Sequence, residues 1–239
     1  MKIFIILLST VLALNAQNYA NDPSFQRELD AKGRKISKDE EMLVRIDITN
    51  WAFKVKAMNP AYQARLALPH PRTKEQLSYS IDCSGLVAAV YTTANVSVFE
   101  KQAKILTGPT GVKIIYDTLK GFNKVYRRTR PRTGDIVFFN NTWDMNGNGK
   151  VDDLLTHAGI VLDTDGMGVI RFMHSYSKGV SISYANLYYK DKYMKEGREF
   201  NTFLRRKYPT DASNTPYLAG EMIYAFGTVF DIPENGEEF

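Results

Sequence analysis

The 239-residue sequence predicts an α+β fold in which N-terminal helices pack on a mostly antiparallel sheet. Three observations predict it. Apolar residues at helical spacing occupy the first half of the chain, short apolar runs bounded by Gly, Asp and Ser turns occupy the second, and those runs follow one another as neighbours.

The elements follow in order. Met1-Lys2 and the apolar run Ile3 to Leu14 have a charged start and about a dozen hydrophobic residues, too short to span a bilayer, so residues 1–20 read as a secretory signal. Ala16 is the favoured cleavage point and Ala20 the other. Residues 21–59 form an N-terminal extension with one helix. Its first part, Asn21 to Gly33, is polar, and Ser37-Lys38-Asp39-Glu40 is a capping box opening a helix over 38–57 with Val44, Ile48, Trp51 and Val55 on one face. Asn59-Pro60 ends that helix, and Pro69 and Pro71 beside His70 predict loop structure towards Ser80. The main domain is expected over 60–232, before an acidic tail at 233–239.

Leu86, Val87, Val90 and Tyr91 predict a helix from about Cys83 to Ala94. Gly108-Pro109-Thr110-Gly111 reads as a turn before a short helix over 112–119. A second turn, Pro131 to Asp135, delivers the strand Ile136-Val137-Phe138-Phe139. Strands are predicted near 157–162, 168–174 and 179–183, separated by Asp165-Gly166 and Ser177-Lys178-Gly179, and a final one lies within 222–231. Residues 190–221 read as an irregular insertion.

Composition narrows the function. The net charge is +5, or +4 once Lys2 leaves with the signal, which suits an acidic polymer such as a cell wall. No later stretch is apolar and long enough for a transmembrane helix, and export disfavours nucleic acid as a partner. The destination is the periplasm or the exterior. There, paired cysteines are the rule, yet this chain has one cysteine, Cys83. A lone thiol is either a buried apolar group or a nucleophile.

Its surroundings favour the nucleophile. A cysteine at a helix start lies among unpaired N–H groups that stabilise a thiolate and a developing oxyanion. Gly85 is expected to admit a substrate backbone. His157 begins an apolar strand beside the small Ala158 and Gly159 and can accept the thiol proton. His174, on the next strand, can bond the other imidazole nitrogen across the Asp165-Gly166 hairpin and fix its tautomer.

These residues resemble the NlpC-type cell-wall cysteine peptidases, a papain-like family. The resemblance runs through Asp82-Cys83-Ser84-Gly85-Leu86-Val87, Arg132 to Phe139, His157-Ala158-Gly159-Ile160-Val161, and His174-Ser175 followed by Gly179 to Ser183. It implies a papain-like NlpC-type fold, with Cys83 as nucleophile, His157 as base and acid, and His174 as the third polar residue. It also implies hydrolysis of peptidoglycan stem peptides between D-glutamate and a diamino acid, with no cofactor required. Where family members carry Tyr and a Gly pair upstream of the cysteine, this chain has Tyr79 between Ser78 and Ser80, so Tyr79, Asp82 and Ser84 are candidates for the oxyanion site or cleft. A binding module without turnover and a thiol acyltransferase remain alternatives.

A separate loop resembles the start of an EF-hand. Asp144, Asn146 and Asn148 alternate, Gly149 takes the sixth place, and Lys150 would offer its carbonyl. Leu155 replaces the closing glutamate, leaving Asp152 or Asp153 to complete a structural calcium site. A polar Asn-Gly turn is the competing reading.

Overall fold

Ser37 caps α1 (Lys38–Ala57), its Oγ accepting the Glu40 N–H at 3.1 Å. The computed structural model describes residues 29–30, 36–98, 108–127 and 130–232; the signal segment, most of Asn21 to Gly33 and the acidic tail lie outside the described residues. A short β1 (Leu29–Asp30) pairs in parallel with β4 (Val96–Ser97).

Val44, Ile48, Ala52 and Val55 bury one stripe of α1 in the main core, so this helix is part of the domain's packing. Arg45 locks it there. Its Nη1 donates to Asp135 Oδ1 at 2.9 Å and to the Thr133 carbonyl at 2.6 Å, and its Nε donates to Glu41 at 2.9 Å. Gly134 turns the chain at φ +79° against Arg45, where a side chain would be strained, and Tyr91 donates to its carbonyl.

Two local expectations are corrected. The stretch towards Ser80 is a hairpin, β2 (Arg65–Pro69) paired with β3 (Gln76–Ser80), in a two-stranded sheet of its own. Pro69 ends an edge strand with no second neighbour, where its missing N–H costs little. His70 organises the turn, its Nδ1 accepting the N–H groups of Arg72 at 3.3 Å and Thr73 at 3.2 Å. The second correction is α3 (Gly108–Gly121), which includes the four residues read as a turn. Proline near a helix start forfeits only a donor that would be unpaired anyway.

The five predicted strands and one that the sequence does not mark, Val125–Tyr126, form a six-stranded antiparallel sheet ordered β5-β12-β6-β7-β8-β9. In chain order these are β5 (Val125–Tyr126), β6 (Ile136–Phe139), β7 (His157–Thr164), β8 (Val169–Tyr176), β9 (Gly179–Asn186) and β12 (Ile223–Gly227). The short hairpin β10 (Met194–Lys195) and β11 (Arg198–Glu199) lies in the 190–221 segment, which closes with α4 (Ala219–Met222). Both faces of the sheet are covered. Ile136, Phe138, Ala158 and Ile160 face the helices, whereas Val137, Phe139, Val161 and Phe172 face a second core with Leu187, Ala219 and Met222. This explains the unbroken apolar run in β6, since a strand covered on both sides needs no polar alternation.

Candidate functional site

Cys83 opens α2 (Cys83–Thr93), an apolar helix buried along nearly its whole length. Asp82 is its N-cap. The carboxylate accepts the Gly85 N–H and the Ser84 hydroxyl, each at 2.8 Å, and both Asp82 and Ser84 are fully buried. These two candidates therefore hold the helix start and do not line the cleft. Gly85 also has a different role from the one expected: a Cβ there would lie 1.7 Å from the Ser80 carbonyl oxygen, so its smallness admits the end of β3, not a substrate. Gly159 likewise lets β8 approach, with Phe172 2.8 Å from its notional Cβ.

The imidazoles meet as the hairpin register predicts. Ile160 lies opposite Met173, which brings His157 level with the end of β8 and one diagonal step from His174. His157 Nε2 and His174 Nδ1 are 2.8 Å apart, the rings nearly perpendicular at 87°. The line continues, with His174 Nε2 2.9 Å from Ser183 Oγ on β9. The sequence assigns Ser183 no role, and only the diagonal pairing of β8 with β9 gives it one. Tyr176 stacks on His174 at 4.9 Å and 7°.

Burial sets the protonation states. It lowers the His157 pKa to about 4 and that of His174 well below the free imidazole range, with the charge of His157 adding to the latter. The same burial, with the Asp82 carboxylate, pushes the Cys83 thiol up to about 12, against the lowering effect of N–H groups of Ala158, Ser84 and Cys83 itself. The expected resting thiolate is thus replaced by a neutral thiol and a neutral imidazole, because removal from water outweighs the helix start. Proton transfer must accompany attack.

Cys83 and His157 line one cleft of about 270 Å³, together with Ser175 and Tyr176 from β8. Ser175 donates to the Ile81 carbonyl at 2.8 Å and so fixes β8 against the chain leading into α2. Tyr62 forms another wall; burial raises its hydroxyl pKa, and the nearby Cys83 and Asp82 raise it further. Tyr79 does not line the cleft, its hydroxyl being engaged by Thr92 in the last turn of α2. Further walls, Trp143, Leu204, Arg206 and Tyr208, come from irregular segments with no periodicity to mark them.

The family model NlpC/P60 matches residues 70–198, more than half of the chain. The protein belongs to the NlpC/P60 family. Membership places it in a family of cell-wall peptidases of papain-like fold, in agreement with the helices and antiparallel sheet described above. No curated protein and no solved structure matches the chain significantly. The NlpC/P60 match spans Cys83, His157 and His174 but excludes Tyr62, Leu204, Arg206 and Tyr208, so part of the cleft lies outside it.

The candidate calcium loop folds upon itself. Asp144 accepts the N–H groups of Asn148 at 3.1 Å and Gly149 at 2.8 Å, and Asn146 Oδ1 accepts the former at 3.0 Å. The side-chain amides of Asn146 and Asn148 donate to Asp152 at 3.2 and 3.0 Å. Lys150 donates its N–H to Asn148 Oδ1 at 2.8 Å. Among the described residues, no group of three or more His, Cys, Asp or Glu is arranged to hold a metal ion. Nor is any described helix long and apolar enough to cross a membrane.

Proposed function

We propose that the protein is an exported cysteine hydrolase that cleaves peptidoglycan stem peptides through a Cys83 thioester. The observation that carries this reading is that Cys83 and His157 line one cleft, with His174 behind His157 and the imidazoles 2.8 Å apart. Cys83 Sγ attacks the peptide carbonyl carbon as His157 Nδ1 takes the thiol proton. The oxyanion is received by N–H groups at the start of α2. Imidazolium His157 gives its proton to the amine, which leaves, and a thioester remains. Water then attacks the thioester carbon, losing a proton to His157, and the sulfur departs and is reprotonated. The scheme needs no cofactor. Export is supported by the apolar run Ile3 to Leu14 behind Lys2.

The test is mass spectrometry of muropeptides incubated with mature protein beside Cys83→Ala. Cleavage of the bond following D-glutamate by the unmodified protein alone is expected; equal products from both would refute the nucleophile. A second reading, a wall-binding module without turnover, draws on the high thiol pKa. It predicts intact muropeptides that nevertheless bind the protein.

A further inference from the structure

The walls of the cleft outside the family match carry their own chemistry. Among the described residues lining it, Arg206 is the one with a formal charge, and neither Asp nor Glu is present. Its guanidinium lies on the Tyr208 side, 5.5 Å from that ring's centroid, and forms no ion pair with a described acid. An arginine on a loose loop would signify little, but the backbone on either side of this one is fastened.

Arg205, next in the chain, turns inward. Its Nη2 meets Asp211 at 2.7 Å, with side chains only 2% and 6% exposed, and its Nη1 donates to the Asn141 carbonyl at 2.9 Å. The second bond joins this segment to the loop bearing Thr142 and Trp143. That loop is itself held by Thr142 Oγ1 on Thr156 Oγ1 at 2.8 Å. On the far side, Asp211 accepts the Tyr208 N–H at 2.7 Å, and the Leu204 N–H donates to the Tyr217 carbonyl at 2.9 Å. Arg205 thus acts as a rivet, and Arg206 is left as a cation on a fastened backbone, without an ion-pair partner among the described residues, in the cleft that Cys83 also lines. Guanidinium matches a carboxylate through two parallel N–H bonds.

We propose that Arg206 selects substrates bearing a free carboxylate beside the scissile bond. This rests on the hydrolase reading for its substrate. A glutamate joined through its side chain keeps its α-carboxylate on the acyl side, and diaminopimelate carries two carboxylates on the leaving side; the shared chemistry is the carboxylate.

The experiment compares L-Ala-γ-D-Glu-diaminopimelate with two analogues, one amidated at the glutamate α-carboxyl and one at both diaminopimelate carboxyls, in wild type, Arg206→Ala and Arg206→Lys. Amidating the recognised carboxylate should lower wild-type kcat/KM by about 10- to 100-fold, the range of a charge-assisted hydrogen bond. Arg206→Ala should lose the same factor on the free acid and ignore that amidation, and lysine should restore part of it. The amidation that couples to the substitution identifies the side on which the carboxylate is held. Ratios that are the same in wild type and Arg206→Ala overturn the proposal while turnover itself upholds the hydrolase.

Binding gives an independent reading. Peptide titrations of Cys83→Ala and Cys83→Ala/Arg206→Ala, followed by Trp143 fluorescence, should show the same coupling in Kd. If coupling is found without turnover in wild type, the proposal stands and the hydrolase reading falls. No binding up to millimolar peptide in either protein overturns the proposal.

Discussion

Replacing Ser183 by Ala probes the end of the hydrogen-bond line, where the cost can be worked from proton positions. In the resting neutral pair the line can run in either direction, because a hydroxyl both donates and accepts. Once His157 holds the thiol proton, only one direction remains. Both of its nitrogens then carry hydrogen, Nε2–H must donate to His174 Nδ1 across 2.8 Å, and His174 Nε2–H must donate to Ser183 Oγ across 2.9 Å. Alanine leaves that last N–H buried and unpaired, since His174 is 1% exposed and Ser183 4%. The penalty is about 1–3 kcal/mol and falls on the charged state, so kcat should drop roughly 5- to 150-fold with KM unchanged. Steady-state kinetics on a labelled stem peptide measures it, with circular dichroism to establish folding. Ser183→Thr, which keeps the hydroxyl, should recover most of the rate. A folded Ser183→Ala enzyme with kcat within twofold of wild type would refute the reasoning.

Three further outcomes are expected. Asp82→Asn keeps an oxygen to cap α2 but removes the charge that raises the Cys83 pKa, so the pH midpoint of iodoacetamide alkylation should fall; a midpoint that stays or rises contradicts this. His157 has a folded pKa near 4 against about 6.5 unfolded, so the folded state resists protonation: stability is full above pH 6.5 and declines as pH falls to 4, by about 3 kcal/mol from this group. Denaturant titrations across that window should show the decline and a shallower one in His157→Gln; identical slopes would reject it. The Asp144 loop, whose carboxylates already accept its own N–H groups and which lacks a closing carboxylate at Leu155, should behave as a polar turn, with Tm unchanged in 5 mM calcium. A rise of about 2–4 °C that Asp144→Asn abolishes would contradict this and mark a site of about millimolar Kd.

The sequence made some of this legible and concealed the rest for physical reasons. The positions of Cys83, His157 and His174 could be read because each sits at the edge of a strong periodic element, and strand register is a short-range rule. The β2–β3 hairpin could not, because Pro69 and Pro71 signal loop wherever edge strands are left out of account. Gly85 and Gly159 were rightly seen to need smallness, but it serves chain packing against Ser80 and Phe172 and gives no room to a substrate. The cleft walls were hidden for another reason. Arg206 gains its place from Arg205, Asn141 and Asp211, and such long-range fastening has no local pattern.

The thiol pKa and the cleft follow from the same packing. Placing Cys83 at the start of a helix buried on almost every side fixes its position but removes the water that would support a thiolate. Asp82, required to cap that helix and hold Ser84, adds a negative charge beside the sulfur. Both features favour position over reactivity at rest. They leave activation to the moment when a substrate displaces solvent and His157 receives the proton, backed by His174 and Ser183. A neutral pair of this kind should show its acid limb near the lowered pKa of His157, about 4, whereas a preformed thiolate–imidazolium pair would lose activity as the thiolate was protonated. The acid side does not separate the two, since a thiolate paired with an imidazolium is itself protonated only at about pH 3–4. The alkaline side does: a preformed pair loses activity as its imidazolium gives up its proton, whereas the neutral pair keeps its kcat/KM up to about pH 9, and an alkaline limb below that rules the neutral pair out.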